Sequence, residues 1–162
     1  MNSSKKERYF IPMSFGILTV SDSRELSNDK SGDILENRVL EDGHFLKVRD
    51  IVKDDKELIK NTLKKWISKN NLDVIISTGG TGLTGRDVTV EAHNELYEKR
   101  INAFEILFAN VSLQTIGMSA IQSRACAGII SGTFLFALPG SPSACKDAWD
   151  KILSKQFDYR NL

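Results

Sequence analysis

Residues 77–91 combine glycines, threonines and charged side chains directly after a short apolar run. The stretch reads Ser-Thr-Gly-Gly-Thr-Gly-Leu-Thr-Gly-Arg-Asp-Val-Thr-Val-Glu and follows Val74, Ile75 and Ile76. Glycines let backbone N–H groups converge on an oxyanion because no Cβ is in the way. A helix that begins near Thr89 would direct the positive end of its dipole to the same place. The pattern therefore predicts an anion-binding loop.

Asp87 lies inside this loop, where its carboxylate would repel a bound phosphate. A divalent cation between the carboxylate and the phosphate removes that repulsion, and Mg²⁺ is commonly held by one or two carboxylates together with substrate phosphates. Asp87 therefore predicts Mg²⁺ and a nucleotide at this loop rather than a bare phosphate.

Two better-known phosphate motifs do not fit the same residues. Gly80 to Gly85 matches the G-x-G-x-x-G pattern of dinucleotide-binding folds, but it follows the third predicted strand and precedes the carboxylate of Asp87. The acidic residue that such a fold places at the end of the next strand, about 20 residues further on, is missing. A P-loop lysine is missing as well, which argues against a P-loop ATPase.

Composition excludes several classes of protein. The chain has 162 residues and a net charge of +1, with scattered lysines and arginines, so nucleic acid is not expected as a partner. The first residues lack the apolar segment of a signal peptide, and no window approaches 18 consecutive apolar residues. We therefore expect no membrane partner and a cytoplasmic protein. Residues 1–12 are expected to form a loose arm, and residues 13–162 a single domain.

The two cysteines do not indicate a disulfide framework or a metal centre. Cys126 and Cys145 are isolated in the sequence, and together with His44 and His93 they show no zinc-ligand spacing. Buried thiols are the expected state of both cysteines.

Apolar runs alternate with helical patterns along the chain. The predicted strands are residues 15–20, 45–52, 73–77 and 133–138. The predicted helices are residues 31–42, 56–69, 89–100, 103–115 and 142–155. In the second helix an apolar stripe at helical spacing consists of Leu58, Ile59, Leu63, Trp66 and Ile67.

Strands separated by helices of this length require right-handed crossovers and parallel pairing. Residues 125–130 are joined to the strand at 133–138 by Ser131-Gly132, which indicates an antiparallel hairpin at the edge of the sheet. The predicted fold is a three-layer α/β/α sandwich, with a mainly parallel sheet and an antiparallel edge hairpin.

Ligands of such sheets bind beyond the carboxyl ends of the strands, so the loops there are candidate sites. The first loop contains Ser21, Asp22 and Ser31, of which Ser31 could cap the next helix or contact a ligand. The second contains Asp54 and Asp55, and one helix cap would account for only one of these acids. The last loop, 139–143, forms a further exposed helix N-terminus, with Ser141 as its cap and Pro142 as its first residue.

Five segments in order resemble the molybdenum-cofactor biosynthesis family of protein B and molybdopterin adenylyltransferases. They are Thr19-Val20-Ser21-Asp22-Ser23-Arg24 with Asp29-Lys30-Ser31-Gly32-Asp33, Val52-Lys53-Asp54-Asp55, the loop from Thr78-Gly79-Gly80-Thr81-Gly82 to Arg86-Asp87-Val88-Thr89, Gln122-Ser123-Arg124-Ala125, and Leu138-Pro139-Gly140-Ser141-Pro142. Ala148-Trp149 and Asp158-Tyr159-Arg160 resemble protein B in particular. The resemblance covers nearly the whole chain.

The resemblance implies that residues 13–162 bind molybdopterin. Members of the adenylyltransferase branch bind molybdopterin and Mg-ATP, transfer AMP to the terminal phosphate of the pterin and release pyrophosphate. It further implies that Mg²⁺ accompanies ATP, that molybdopterin is a substrate rather than a prosthetic group, and that the protein is a homotrimer or homohexamer. Other proteins of the pathway are implied as partners.

The matching positions suggest a role for each loop. Asp54 and Asp87 would be the catalytic acids and would hold or orient Mg²⁺. Phosphate and pterin oxygens would be bound by backbone N–H groups and hydroxyls of the loops. The substrate-binding positions are Ser21, Asp22, Ser31, Thr78, Gly79, Gly80, Thr81, Gly82, Thr89, Pro139, Gly140, Ser141 and Ser143.

One segment departs from the family pattern. Where the family reads Gly-Phe-Gly-Glu with an arginine three residues later, this chain has Ala103-Phe104-Glu105-Ile106 and Ala109. A shift of one position on a helix rotates a side chain by about 100°, so Glu105 does not replace the missing acid. Two hypotheses therefore follow: an active adenylyltransferase, or a pterin- or nucleotide-binding relative with little catalysis.

Overall fold

The computed structural model describes residues 8–69 and 71–161, and within them six strands form one sheet in the order β2-β1-β3-β6-β5-β4. The strands are β1 (Ser14–Val20), β2 (Phe45–Val52), β3 (Val74–Thr78), β4 (Lys99–Arg100), β5 (Cys126–Ile130) and β6 (Thr133–Leu138). Strand β1 pairs parallel with β2 and β3, and β3 pairs parallel with β6. Strand β5 pairs antiparallel with β6 and β4. The mainly parallel sheet with an antiparallel hairpin is confirmed.

Helices cover both faces of this sheet. They are α1 (Lys30–Glu41), α2 (Lys56–Lys69), α3 (Thr89–Asn94), α4 (Asn102–Ile116), α5 (Pro142–Ala148) and α6 (Ser154–Gln156). Ile17 of β1 belongs to the core cluster formed with α1, α4 and α5, whereas the adjacent Leu18 belongs to the cluster formed with α2 and α3. Successive side chains of a strand point to opposite faces, so a strand buried on both sides lies between two helical layers. The predicted three-layer sandwich is therefore confirmed.

The parallel strands bring the predicted site loops to one edge of the sheet. In register, Thr19 of β1 lies beside Thr78 of β3, and Thr78 lies beside Leu138 of β6. The neighbouring pair Val20 and Val52 aligns the end of β1 with the end of β2. The four loops that follow these strands consequently start side by side.

The predicted helix over residues 89–100 is too long. Helix α3 ends at Asn94, and Lys99–Arg100 form the short strand β4. The backbone N–H of Glu98 donates to the carbonyl of Ile129 at 2.9 Å, and that of Ile101 donates to Ala127 at 2.8 Å. Pairing with β5 therefore replaces the last helical turns, and the exposed side chains of β4 suit a sheet edge.

Other boundaries differ in smaller ways. The predicted apolar stripe of α2 is buried at Ile59, Leu63 and Trp66, but Leu58 is 42% exposed because it lies at the margin of the packed face. The predicted last helix begins at Pro142, contains a π-helical segment at Trp149–Leu153 and extends to Gln156. Residues 1–7 of the predicted arm lie outside the described residues.

Helix α4 is unusually apolar for a helix at the surface. Among the described residues, the segment Asn102–Gln122 has the length and composition of a membrane-crossing helix, with a mean hydropathy of 1.3. Its inner face packs on the sheet, since the ring of Phe104 contacts that of Phe136 at a centroid distance of 5.0 Å. Only 17% of the segment is buried, so it presents an apolar outer face.

Candidate functional site

A cavity of about 390 Å³ opens at the carboxyl ends of β1, β3 and β6. Predicted binding residues that line it are Ser21, Gly79, Gly80, Thr81, Gly82, Asp87, Pro139 and Gly140. Predicted residues that do not line it are Asp22, Ser31, Asp54, Thr78, Thr89, Ser141 and Ser143. The first and last loops thus meet the glycine loop at one cavity, as their positions in the sheet require.

The glycine loop has a backbone that only glycine adopts easily. Gly79 and Gly80 have φ angles of +100° and +64°, in the left-handed region that disfavours a side chain. A Cβ on Gly79 would overlap the carbonyl oxygen of Val20, and a Cβ on Gly80 would overlap Oγ1 of Thr89. Glycine is therefore required at both positions for two reasons: the backbone is left-handed, and the neighbouring atoms leave no room for a Cβ.

The adjacent acids of the second loop have separate roles. Asp55 caps α2, because its Oδ1 accepts a hydrogen bond from the backbone N–H of Leu58 at 2.7 Å. Asp54 is half-buried, and its Oδ1 accepts from the backbone N–H of Val88 at 3.3 Å. Burial raises the pKa of Asp54, with the nearby carboxylates of Asp87 and Asp22 acting in the same direction. The negative charge of Asp54 is thus poorly compensated by the chain itself.

Asp87 is held in its ionised form. Thr84 donates to Asp87 Oδ2 from its hydroxyl at 2.6 Å and from its backbone N–H at 3.0 Å. The hydroxyl hydrogen bond of Thr84 is the main cause that lowers the pKa of Asp87. A Cβ on Gly82 would lie 2.8 Å from Asp87 Oδ2, so this carboxylate lies directly against the loop.

These two carboxylates fit Mg²⁺ bound together with a phosphate ligand. In the described part of the chain, no group of three or more His, Cys, Asp and Glu side chains could hold a metal ion. A cation here would therefore take further ligands from the substrate, which is how Mg²⁺ is usually bound. Beside Gly80, the buried Oγ1 of Thr89 has no hydrogen-bond partner and the Asp54 carboxylate lies close by. The Thr89 hydroxyl is fully buried, whereas the half-buried carboxylate of Asp54 can contact a hydrated ion.

Asp22 lies in the first loop and connects it to the other acidic loops. It pairs with the guanidinium of Arg86, and its Oδ1 accepts from the backbone N–H of Asp54 at 3.2 Å. The hydrogen bond from Arg86 is the main cause that lowers the pKa of Asp22. In the free protein Asp22 thus holds the loops together.

Arg24 is a cavity residue that was absent from the predicted binding set. Its Nη1 donates to Ser31 Oγ at 2.6 Å, and its Nη2 donates to the carbonyl of Gly140 at 2.9 Å. Among the described residues that line the cavity it is the only cation, and there it can attract an anion. The sequence signal was its place in the first loop, shortly before Asp29.

Asp29 explains how Arg24 and Ser31 are placed. The fully buried Asp29 caps α1 by accepting from the N–H of Gly32 at 3.1 Å, so Ser31 is not the cap. Asp29 also accepts from Thr19 Oγ1 at 2.6 Å and lies 3.9 Å from Nη1 of Arg24. Ser31 is buried and acts as a support for Arg24.

The remaining predicted hydroxyls mainly contact the protein. Thr78 is buried, and its Oγ1 donates to the carbonyl of Pro139 at 2.9 Å, which joins the glycine loop to the last loop. Ser141 caps α5 by accepting from the N–H of Ala144 at 3.2 Å. Ser143 is exposed, with its Oγ 3.4 Å from that of Ser141.

A buried polar network contacts β3 at Ser77, the residue directly before Thr78. His93 Nε2 lies 2.8 Å from Ser77 Oγ, and His93 Nδ1 lies 3.1 Å from the hydroxyl of Tyr97. That hydroxyl is 3.2 Å from Cys126 Sγ. Burial raises the pKa of Cys126 to about 11 and that of Cys145 to about 12, so both cysteines are buried thiols. The network ties α3 to the strand that leads into the glycine loop.

His93 is expected to make folding sensitive to acid. Burial lowers its pKa from 6.5 to about 3, so the folded chain keeps the imidazole neutral where the unfolded chain binds a proton. The stability that neutral His93 contributes to the folded state is fully present above pH 6.5. The free energy of unfolding then falls by about 1.4 kcal/mol per pH unit as the pH drops from 6.5 towards 3. Urea unfolding at pH 7, 6 and 5 measures it. The variant His93→Gln should lose less stability over this range, and an equal loss would contradict the assignment.

Comparison with known proteins identifies the family. Residues 16–158 match the family described as "Probable molybdopterin binding domain". The chain belongs to this family. It is 40% identical over 151 residues to molybdenum cofactor biosynthesis protein B of Escherichia coli K12, covering 93% of this chain and 89% of the relative. It is 41% identical over 147 residues to the probable molybdopterin adenylyltransferase of Methanocaldococcus jannaschii, covering 90% of each chain.

The fold agrees with solved structures of the family. The crystal structure of a molybdenum cofactor biosynthesis protein B superposes with a TM-score of 0.89 at 39% identity, covering 92% of this chain and 93% of that one. The family resemblance inferred from the motifs is therefore confirmed.

The position at which the chain departs from the family pattern is on the surface. Ile106 is 64% exposed and Ala109 is exposed, so neither belongs to the core, and neither lines the cavity. Glu105 instead pairs with Arg100 at 2.7 Å. The departure from the family pattern therefore lies outside the described cavity.

Proposed function

We propose that the chain binds molybdopterin and Mg-ATP and transfers AMP to the terminal phosphate of the pterin. The observation that carries this proposal is the meeting of two features at the glycine loop. The glycine loop presents backbone groups without side chains, and the carboxylates of Asp54 and Asp87 lie directly against that loop. A phosphate ligand and a divalent cation together satisfy both features.

In the proposed reaction an oxygen of the pterin phosphate attacks the α-phosphorus of ATP. A new phosphorus–oxygen bond forms, the bond to the β-phosphate bridging oxygen breaks, and pyrophosphate leaves with that electron pair. Mg²⁺ bound with ATP would neutralise phosphate charge. The chain contributes positioning: the glycine loop and the 139–143 turn would bind phosphate oxygens, Arg24 would attract the anion, and Asp54 with Asp87 would hold or orient the ion.

Mass spectrometry tests this activity most directly. The purified chain incubated with molybdopterin and Mg-ATP should yield adenylylated molybdopterin and pyrophosphate, and omission of Mg²⁺ should prevent both. Tight binding of molybdopterin without any adenylylated product would contradict the enzymatic proposal and favour the second candidate.

The second candidate is a pterin- or nucleotide-binding protein of the same pathway with little catalysis. The replacement of an acid and an arginine by Ile106 and Ala109 favours it. Both residues are exposed and outside the cavity, so a role in turnover would require that another copy bring them to a site.

Ile106→Glu combined with Ala109→Arg distinguishes the two candidates. Because both positions are exposed, we expect the melting temperature of the double variant to stay within about 2 °C of the unchanged chain. If these residues limit catalysis, AMP transfer should rise severalfold, since the guanidinium can pair with the new acid or with a phosphate. A stable double variant without increased AMP transfer would show that position 106 does not limit the reaction.

We further propose that the protein is a cytoplasmic homotrimer or homohexamer. The outer face of α4 and the following turn exposes large apolar side chains, including Met118 at 80% and Ile121 at 78%. Exposed apolar surface of this extent is typical of an interaction surface. Light scattering on the purified chain measures the assembly, and a monomer at micromolar concentration would contradict the proposal. Other proteins of the pathway are further proposed partners.

A further inference from the structure

Arg124 precedes β5 and contacts the carbonyl side of the glycine loop. Its Nε donates to the carbonyl oxygen of Thr81 at 2.9 Å and to that of Gly82 at 3.0 Å. Its Nη2 donates to the carbonyl oxygen of Asp87 at 3.2 Å. One guanidinium therefore holds three carbonyl groups of a single loop.

Glu91, in the first turn of α3, fixes the guanidinium from another side. Its Oε2 lies 3.3 Å from Nη2 of Arg124, and its Oε1 accepts from Nη1. The pairing lowers the pKa of Glu91 through the hydrogen bond from Arg124, so the carboxylate stays ionised. The side chain of Arg124 is consequently oriented by α3 and cannot rotate freely away from the loop.

The arrangement has a consequence for anion binding. The C=O and N–H groups of a peptide unit point in nearly opposite directions, so the carbonyls of Thr81 and Gly82, held on one side of the loop, direct the N–H groups of Gly82 and Leu83 to the other. The N–H that follows the carbonyl of Asp87 belongs to Val88 and donates to Asp54 Oδ1. The cavity is lined by Gly79, Gly80, Thr81 and Gly82 but not by Arg124. Arg124 thus contacts the loop carbonyls without lining the cavity, which the preceding Gln122 and Ser123 do line.

We propose that Arg124 is a positioning residue that keeps the N–H groups of the glycine loop directed at an anionic ligand. It acts through the loop, without contact to the ligand, and the inference rests on the proposed phosphate chemistry of this site. The planar guanidinium provides five donors in a fixed geometry, which suits several carbonyls and one carboxylate at once. A lysine ammonium cannot make the same set of hydrogen bonds.

Arg124→Lys tests this role, with Arg100→Lys as the matched control. Arg100 pairs with one carboxylate, Glu105, and does not contact the glycine loop. In Arg124→Lys we expect amide hydrogen exchange of residues 79–88 in the free protein to accelerate about tenfold. Calorimetry with inorganic pyrophosphate and Mg²⁺ should show about tenfold weaker binding. Both quantities should be unchanged in Arg100→Lys.

Each other outcome contradicts part of the inference. Wild-type exchange and affinity in Arg124→Lys would overturn the positioning role, and faster exchange with unchanged affinity would overturn its connection to anion binding. Glu91→Gln keeps the donors of Arg124 but removes the charged partner, so it should show a smaller effect in the same direction. If the unchanged chain binds no pyrophosphate, the proposed function fails, and hydrogen exchange alone decides whether Arg124 orders the loop.

Discussion

Asp87→Asn is expected to lower AMP transfer by at least about a hundredfold while the melting temperature stays nearly unchanged. Asparagine has the size of aspartate and its oxygen can still accept the hydrogen bonds from Thr84, but it lacks the charge that binds Mg²⁺. Asp54→Asn should lower the activity as strongly. Its stability should not fall, because a half-buried carboxylate near two other acids is replaced by a neutral group. Product formation by mass spectrometry and a thermal melt measure both effects.

Asp55 provides the control for these substitutions, because it follows Asp54 directly yet caps α2. Asp55→Ala removes the hydrogen bond to the N–H of Leu58 and should cost about 1 kcal/mol of stability, while AMP transfer stays near that of the unchanged chain. A loss of activity in Asp54→Asn together with a loss of stability in Asp55→Ala would show that Asp54 belongs to the site and Asp55 to the helix cap. Near-normal AMP transfer by Asp87→Asn or Asp54→Asn at a normal melting temperature would contradict the metal role.

Gly79→Ala is expected to have the largest effect of any single methyl addition in the glycine loop. At a φ of +100° an alanine is strained, and its Cβ would overlap the backbone carbonyl of Val20, which cannot move without shifting β1. We expect a loss of about 3 kcal/mol or more in the free energy of unfolding, together with loss of pyrophosphate binding. Urea unfolding and calorimetry measure the two quantities.

Gly85 is the matched control in the same loop. A Cβ on Gly85 meets no atom within 4 Å, so Gly85→Ala should leave both stability and binding nearly unchanged. Gly82→Ala should fall between the two, since its Cβ would push the carboxylate of Asp87 rather than backbone. It should reduce Mg²⁺-dependent activity more than stability. Equal tolerance at positions 79 and 85 would show that the loop does not require glycine.

Most of the fold could be predicted because its signals are local. The strand at Phe45–Val52 and the helix at Lys56–Lys69 were predicted with the observed bounds, since apolar periodicity and turn residues lie within each segment. Strand β4 could not be predicted, because Lys99 and Arg100 become a strand only through hydrogen bonds to the distant β5. The end of α3 depended on the same long-range pairing.

In the candidate site, too, some features follow from local sequence and others only from the fold. The sequence by itself identified the glycine loop, the acid Asp87 within it and the last loop as candidates, because each motif consists of a few consecutive residues, whereas the choice of Asp54 came from the family resemblance. Only the tertiary structure decided that Asp55 is the cap of α2 and leaves Asp54 available, and that Ser31 supports Arg24. It alone showed that Arg124 holds the loop carbonyls from 42 and 43 residues away. The reason is physical: a side chain's role depends on which donors and acceptors the fold brings within about 3 Å, and sequence separation does not encode that distance.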